Sequence, residues 1–203
     1  LYFVVPMVLG LSFLAKPVWQ IFYGTSNLGV SVFSYSIFTA IFYSLFLNIH
    51  TIMQSVDNNK VANISIISGL ITKLCLTVPL IILFSKIPFI KTYYASITAT
   101  ILAYIVPITI SLICLHKTLN ISFKETFIKA FKIIISCLLM IIVLTVLKLI
   151  IPVTGGKIYS LIIIVIYAAI GGTIYFILTS KMHVFEDIFE CSLKDFIKRK
   201  FRR

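Results

Sequence analysis

Residues 62–85 read ANISIISGLITKLCLTVPLIILFS. At 1.5 Å per residue this segment is long enough to cross a hydrocarbon core of roughly 30 Å. It holds one charge, Lys73, near its middle, flanked by Gly69, Thr72 and Thr77, and it runs into Pro79. A charged side chain at the bilayer centre costs at least ~2.5–3.5 kcal/mol on insertion scales. About 11 residues, or roughly 16 Å, separate Lys73 from either end of the segment, too far for easy snorkelling. Its ammonium is therefore expected to face protein, water or an anion. It either fixes packing through carbonyls or a carboxylate, or it draws a phosphate-bearing headgroup inward.

Five further segments have the same character, near 1–23, 31–53, 93–115, 130–151 and 158–180. Over the whole chain 60% of residues are hydrophobic and 12% charged. Soluble domains are roughly 45–50% apolar and about a quarter charged. The expected fold is all-α and integral to the membrane, with six transmembrane helices. Every acid, Asp57, Glu125, Glu186, Asp187, Glu190 and Asp195, falls in a connection or in the tail. Lys16 and Lys73 lie inside spans. Spans that accept cations and exclude anions point to an anionic cargo. A proton-coupled exporter of cationic drugs would instead want an intramembrane carboxylate.

The basic residues set an orientation. Lys60, then Lys117, Lys124, Lys129 and Lys132, then Lys181, Lys194, Lys198, Arg199, Lys200, Arg202 and Arg203 fall on alternate connections and the tail. The opposite side carries only Lys86, Lys91, Lys148 and Lys157. Lys and Arg concentrate on cytoplasmic loops, so the heavier side, with the C-terminus, is expected to be cytoplasmic. These charges flank apolar spans and make no folded basic face, which argues against a nucleic-acid partner. From His183 onward apolar residues recur at helical spacing. That pattern, ending in Lys198, Arg199, Lys200, Arg202 and Arg203, predicts an interfacial helix on anionic lipid.

Within the spans, Pro6, Pro17, Pro79 and Pro107 are expected to kink their helices, because proline removes a backbone hydrogen bond. The second span turns polar at its inner end with Asn48, His50 and Gln54. Asp57-Asn58-Asn59-Lys60 then predicts a tight turn. Ser96, Thr98, Thr100, Thr109 and Ser111 give the fourth span one polar side. The last two spans are rich in Ile, Leu and Val, and Ala168, Ala169, Gly171 and Gly172 allow close helix approach. Candidate cargo contacts are Lys73, Lys16, Gln54 and Asn48. Cys75, Cys114, Cys137 and Cys191 have no metal-ligand spacing, and His50, His116 and His183 are scattered. No metal and no cofactor is expected. Nucleophile-elbow, P-loop, dinucleotide and zincin motifs are all missing, so the expectation is a protein that is not an enzyme.

Three stretches resemble one family. Leu14-Ala15-Lys16-Pro17-Val18-Trp19-Gln20-Ile21-Phe22-Tyr23-Gly24 resembles the end of the ninth helix in MurJ-type lipid II flippases, in the Gram-positive branch related to SpoVB. Ile52-Met53-Gln54-Ser55-Val56-Asp57-Asn58-Asn59-Lys60 resembles that branch's following turn, with Ser55 for a usual Gly. The stretch from Gly69 to Ile81 resembles its next helix, with Lys73 and Pro79 on the family's Lys and Pro, and Thr77 for a usual Asn. Leu1 already lies inside an apolar span, so the chain reads as the C-terminal part of a longer protein. The resemblance implies helices nine to fourteen of a two-lobe exporter fold of the multidrug/oligosaccharidyl-lipid/polysaccharide type.

The expected division is then 1–116 as four helices of the C-terminal lobe, 117–180 as a peripheral pair grooved for a lipid tail, and 181–203 as a basic cytoplasmic tail. The implied partners are a polyprenyl-pyrophosphate-linked saccharide, anionic membrane lipids and the absent N-terminal lobe. The implied function is flipping lipid II from the inner to the outer leaflet of a bacterial plasma membrane by alternating access. Rival readings are a flippase for another polyprenyl-linked polysaccharide unit, a cation or drug exporter, and a membrane scaffold.

Overall fold

The computed structural model describes residues 1–24, 26–119, 124–151 and 156–189. Its helices are α1 (Val4–Phe13), α2 (Ala15–Tyr23), α3 (Val30–Ser36), α4 (Thr39–Ser55), α5 (Asn59–Ser85), α6 (Tyr94–Leu119), α7 (Lys124–Ile150), α8 (Lys157–Lys181) and α9 (Val184–Phe189). No strand occurs among the described residues. The α3–α4 run and α5, α6, α7 and α8 are each long and apolar enough to cross a membrane, and α1 with α2 adds a sixth span if the bent pair is one. The protein is a multi-pass α-helical membrane protein. The basic tail residues Lys198, Arg199, Lys200, Arg202 and Arg203 lie outside the described residues.

Contacts divide the chain into two compact units, residues 29–122 and residues 2–28 with 123–203. This differs from a division by polarity, because the first span joins α7 and α8 instead of the three spans that follow it.

In the first unit α5 and α6 pair along a stripe of small residues. Ala62, Ser65 and Gly69 are buried on α5, and Ala95, Ala99, Ala103, Pro107, Ser111 and Leu115 on α6. Gly69 is required by this approach. A Cβ there would stand 2.7 Å from the Ala103 carbonyl oxygen and 3.1 Å from Pro107 Cγ. Pro107 explains the carbonyl's direction. It has no N–H for the oxygen four residues earlier, so Ala103 O leaves the helix ladder. Away from the stripe α5 is uncovered, with Ile67, Leu70, Leu74 and Val78 all more than half exposed. A face of that size does not persist in water and belongs against lipid or further helices.

The α4–α5 turn has the chemistry expected of it. Asp57 adopts the left-handed conformation at φ 59°. Its N–H reaches Gln54 O at 3.1 Å, and Asn58 N–H reaches Met53 O at 3.0 Å. Both bonds satisfy orphan carbonyls at the end of α4 in a Schellman arrangement. Asn59 Nδ2 donates to Asp57 Oδ1 at 3.1 Å and steadies the turn.

In the second unit the first span is sharply broken, α1 meeting α2 at 66°. The break at Leu14 follows from Pro17, which cannot donate to Phe13 O and crowds it. Pro6 lies in the first turn of α1, where the missing N–H would be unpaired anyway. Pro79 and Pro107 lie inside helices that run unbroken through them. The second span, Val30–Ser55, runs on through a tightened step that holds no proline. Around Ile37 and Phe38 the backbone shifts to three-residue bonds, Phe38 N–H to Tyr35 O and Ala40 N–H to Ile37 O. The Thr39 hydroxyl donates to Ser36 O at 2.6 Å and takes up a freed carbonyl.

The pair α7–α8 packs through a hydrophobic core of Ile133, Cys137, Met140, Leu144, Ile163 and Tyr167, and polar bonds join α8 to the start of the chain. Tyr175 OH donates to Tyr2 O at 2.7 Å, and Tyr2 OH stands 2.6 Å from Thr179 Oγ1. All three residues are buried. These bonds fix the start of α1 to the end of α8. Gly171 sits against Leu144 and Met140 of α7, whereas Gly172 faces open space and Ala168 and Ala169 are exposed. At the end of α8, His183 turns left-handed at φ 58° and leads into α9, which buries Val184 and Phe185.

Candidate functional site

Lys73 lies midway along α5 with its side chain exposed on the uncovered apolar face. No hydrogen bond or ion pair to its ammonium is found among the described residues. The hydroxyls nearest it on its own helix are already engaged. Thr72 Oγ1 donates to Ser68 O at 2.7 Å and Thr77 Oγ1 to Lys73 O at 2.6 Å. Such back-bonding removes a hydroxyl from service to its neighbours. Among the described residues Lys73 thus stands in apolar surroundings with no counter-ion, the condition in which an ammonium seeks an anion or a carboxylate from outside.

Asn48 and Gln54 are both exposed on α4. Asn48 Nδ2 donates to Ser44 O of its own helix at 2.7 Å. Gln54 Nε2 lies 3.2 Å from His50 Nε2, one helical turn back. The His50 ring stacks on Phe46 at 5.7 Å, and its Nδ1 is buried without a hydrogen-bond partner among the described residues. His50 was not expected as a site residue; its i, i+4 spacing to Gln54 is the signal in the sequence. Thr98, Thr100 and Thr109 also return their hydroxyls to α6 carbonyls four residues back, so the polar side of the fourth span is largely self-satisfied.

Lys16 is exposed on α2, two residues past the break at Leu14. It belongs to the other unit, so Lys73, Asn48 and Gln54 share one body and Lys16 does not. Near that break Lys148 Nζ sits 5.5 Å above the Phe13 ring, and Phe13 stacks on Tyr167 at 6.2 Å. An ammonium over a ring face is held electrostatically, which gives Lys148 a partner inside the protein. At the far end of this unit Lys132 Nζ donates to Met182 O at 3.3 Å and Lys129 pairs with Asp187 at 3.5 Å. No cluster of His, Cys, Asp and Glu that could hold a metal occurs among the described residues.

No family model and no solved structure matches the chain. A curated relative does. The chain is 31% identical over 183 residues to the lipid II flippase MurJ of Bacillus subtilis (strain 168). The match covers 86% of this chain and 32% of the relative, so the chain spans about a third of that protein's length. Its sequence is similar to part of a lipid II flippase, over residues that form apolar membrane-spanning helices here.

Proposed function

We propose that the chain is part of a transporter that carries a lipid-linked cell-wall precursor, lipid II, from the inner to the outer leaflet of a bacterial plasma membrane. The observation that carries this reading is the 31% identity to a lipid II flippase over 86% of the chain. Lys73 supports it in chemical terms. A phosphate-bearing headgroup moving through lipid needs a positive partner, and Lys73 offers one without a competing acid in any span.

The six spans are helices nine to fourteen, and a second lobe supplied by the rest of the protein covers the bare face of α5. The lobes rock about the cavity between them in alternating access. Lys73 meets the pyrophosphate; Gln54 and Asn48, near the inner mouth, meet the headgroup on entry; Lys16 lies toward the outer leaflet. The C-terminal tail faces the cytoplasm and holds anionic lipid. A different polyprenyl-linked polysaccharide unit is the alternative cargo, since an ammonium reads the pyrophosphate and not the sugar.

The test is Lys73→Ala in the full-length protein, with lipid II exposed at the cell surface as the readout. Exposure is expected to fall at least tenfold at equal membrane abundance, the scale of one lost charge-assisted contact. Undiminished exposure removes Lys73 from the cargo path.

A further inference from the structure

At the end of the first unit remote from the α4–α5 turn lies an open cleft of about 540 Å³. Its walls are Ser31, Ser34 and Tyr35 of α3, Phe84 of α5, Phe89 of the 86–93 connection and Tyr94 of α6. The volume falls in the range of small-molecule sites, roughly 300–1,000 Å³. Cargo contacts assigned above lie elsewhere, so this cleft is unused by the transport reading.

The lining mixes two chemistries. Ring faces come from Tyr35, Tyr94, Phe84 and Phe89; Tyr35 and Tyr94 brace each other edge to face at 5.0 Å. Phe89 is 96% exposed, an apolar ring held out on a connection with nothing of its own unit to cover it. Hydroxyls of Ser31 and Tyr35 share the lining. Ser31 Oγ lies 3.2 Å from Tyr93 OH, and Tyr35 OH lies 3.1 Å from Thr98 Oγ1. Tyr93 OH is also engaged by Tyr94 and Lys91, and Thr98 donates to Tyr94 O, so the acceptor positions left for a ligand are those of the lining hydroxyls Ser31 Oγ and Tyr35 OH. At the rim Lys91 Nζ sits 5.8 Å from the Tyr93 ring, and Lys86 is exposed on the same connection.

An acyl chain has no use for such hydroxyls, and an inorganic anion has no use for the rings. A sugar ring uses both. Its C–H face lies flat on an aromatic ring, and its hydroxyls and any acetamido group exchange hydrogen bonds around the edge. From the pairing of aromatic faces with hydroxyls in one cleft, we infer that it binds the saccharide part of the lipid-linked cargo. On the orientation set by the basic residues the cleft opens to the outside, where that saccharide arrives. The assignment rests on the transport reading for its source of ligand.

The probe is chitobiose, a neutral disaccharide, added to the full-length protein in nanodiscs and followed by saturation-transfer NMR. Transfer to the sugar-ring protons is expected. Phe89→Ala and Ser31→Ala alter exposed residues and leave folding intact; each is expected to weaken binding about fivefold, the scale of one lost ring or hydrogen-bond contact. Absence of transfer, or equal binding by the double variant, overturns the site. If chitobiose does not bind while lipid II is still flipped, the cleft assignment falls alone. If chitobiose binds a protein that flips no lipid-linked precursor, the cleft stands and the transport reading falls.

Discussion

At the scale of single residues, Gly69 shows how a backbone requirement arises from two distant positions. Pro107 frees the Ala103 carbonyl, and only a glycine on α5 leaves room for it. Gly69→Ala would put a methyl group 2.7 Å from that oxygen, against backbone that cannot swing aside. The α5–α6 pair is expected to separate, with a loss of about 1–3 kcal/mol, read as a lower midpoint of thermal unfolding in detergent. An unchanged midpoint would show that the helices slide past each other at no cost. The sequence displays Gly69 beside Lys73 and Pro107 in another span, yet nothing in it pairs the two, because contacts across helices leave no local signal. Lys73 was legible as a buried-depth charge from its place in an apolar run. That its own threonines turn inward to the backbone and leave it alone was not.

At the scale of elements, span positions follow closely from apolar run length, since the hydrocarbon thickness fixes how many residues each helix needs. The turn at 57–60 was equally plain from its Asp and Asn residues. Bends were not. Of the four prolines in spans, Pro17 accompanies the sharp break, while α5 and α6 are continuous helices through Pro79 and Pro107. A missing N–H permits a bend; the packing on either side decides whether it is used. Spin labels at Met7 and Phe22, both about 70% exposed, report this directly. Pro17→Ala is expected to lengthen the distance between them as the α1–α2 angle opens. An unchanged distance would mean that seating α1 on α7 and α2 on α8 holds the bend without proline. The polar tie between Tyr2 and the end of α8 was likewise hidden, because Tyr2 is far in the chain from Tyr175 and Thr179 and each looks ordinary alone.

At the scale of the whole molecule, orientation and cargo are the two claims that matter. The charge count predicts Lys60 inside and Lys91 outside. Single cysteines in a cysteine-free full-length protein test it. Lys91→Cys is expected to react with a membrane-impermeant maleimide on intact cells, and Lys60→Cys only after permeabilisation; the reverse pattern inverts the topology. The bare face of α5 belongs to the same scale, because an apolar helix surface carrying an unpaired ammonium is complete only when something charged or polar approaches it.

The most direct measurement is replacement of function. The full-length protein is expressed in Bacillus subtilis cells deprived of their own lipid II flippase, and lipid II at the outer surface is quantified. Restored surface lipid II, with renewed growth, is the predicted result. A protein that inserts at normal abundance yet leaves lipid II on the inner leaflet would contradict it.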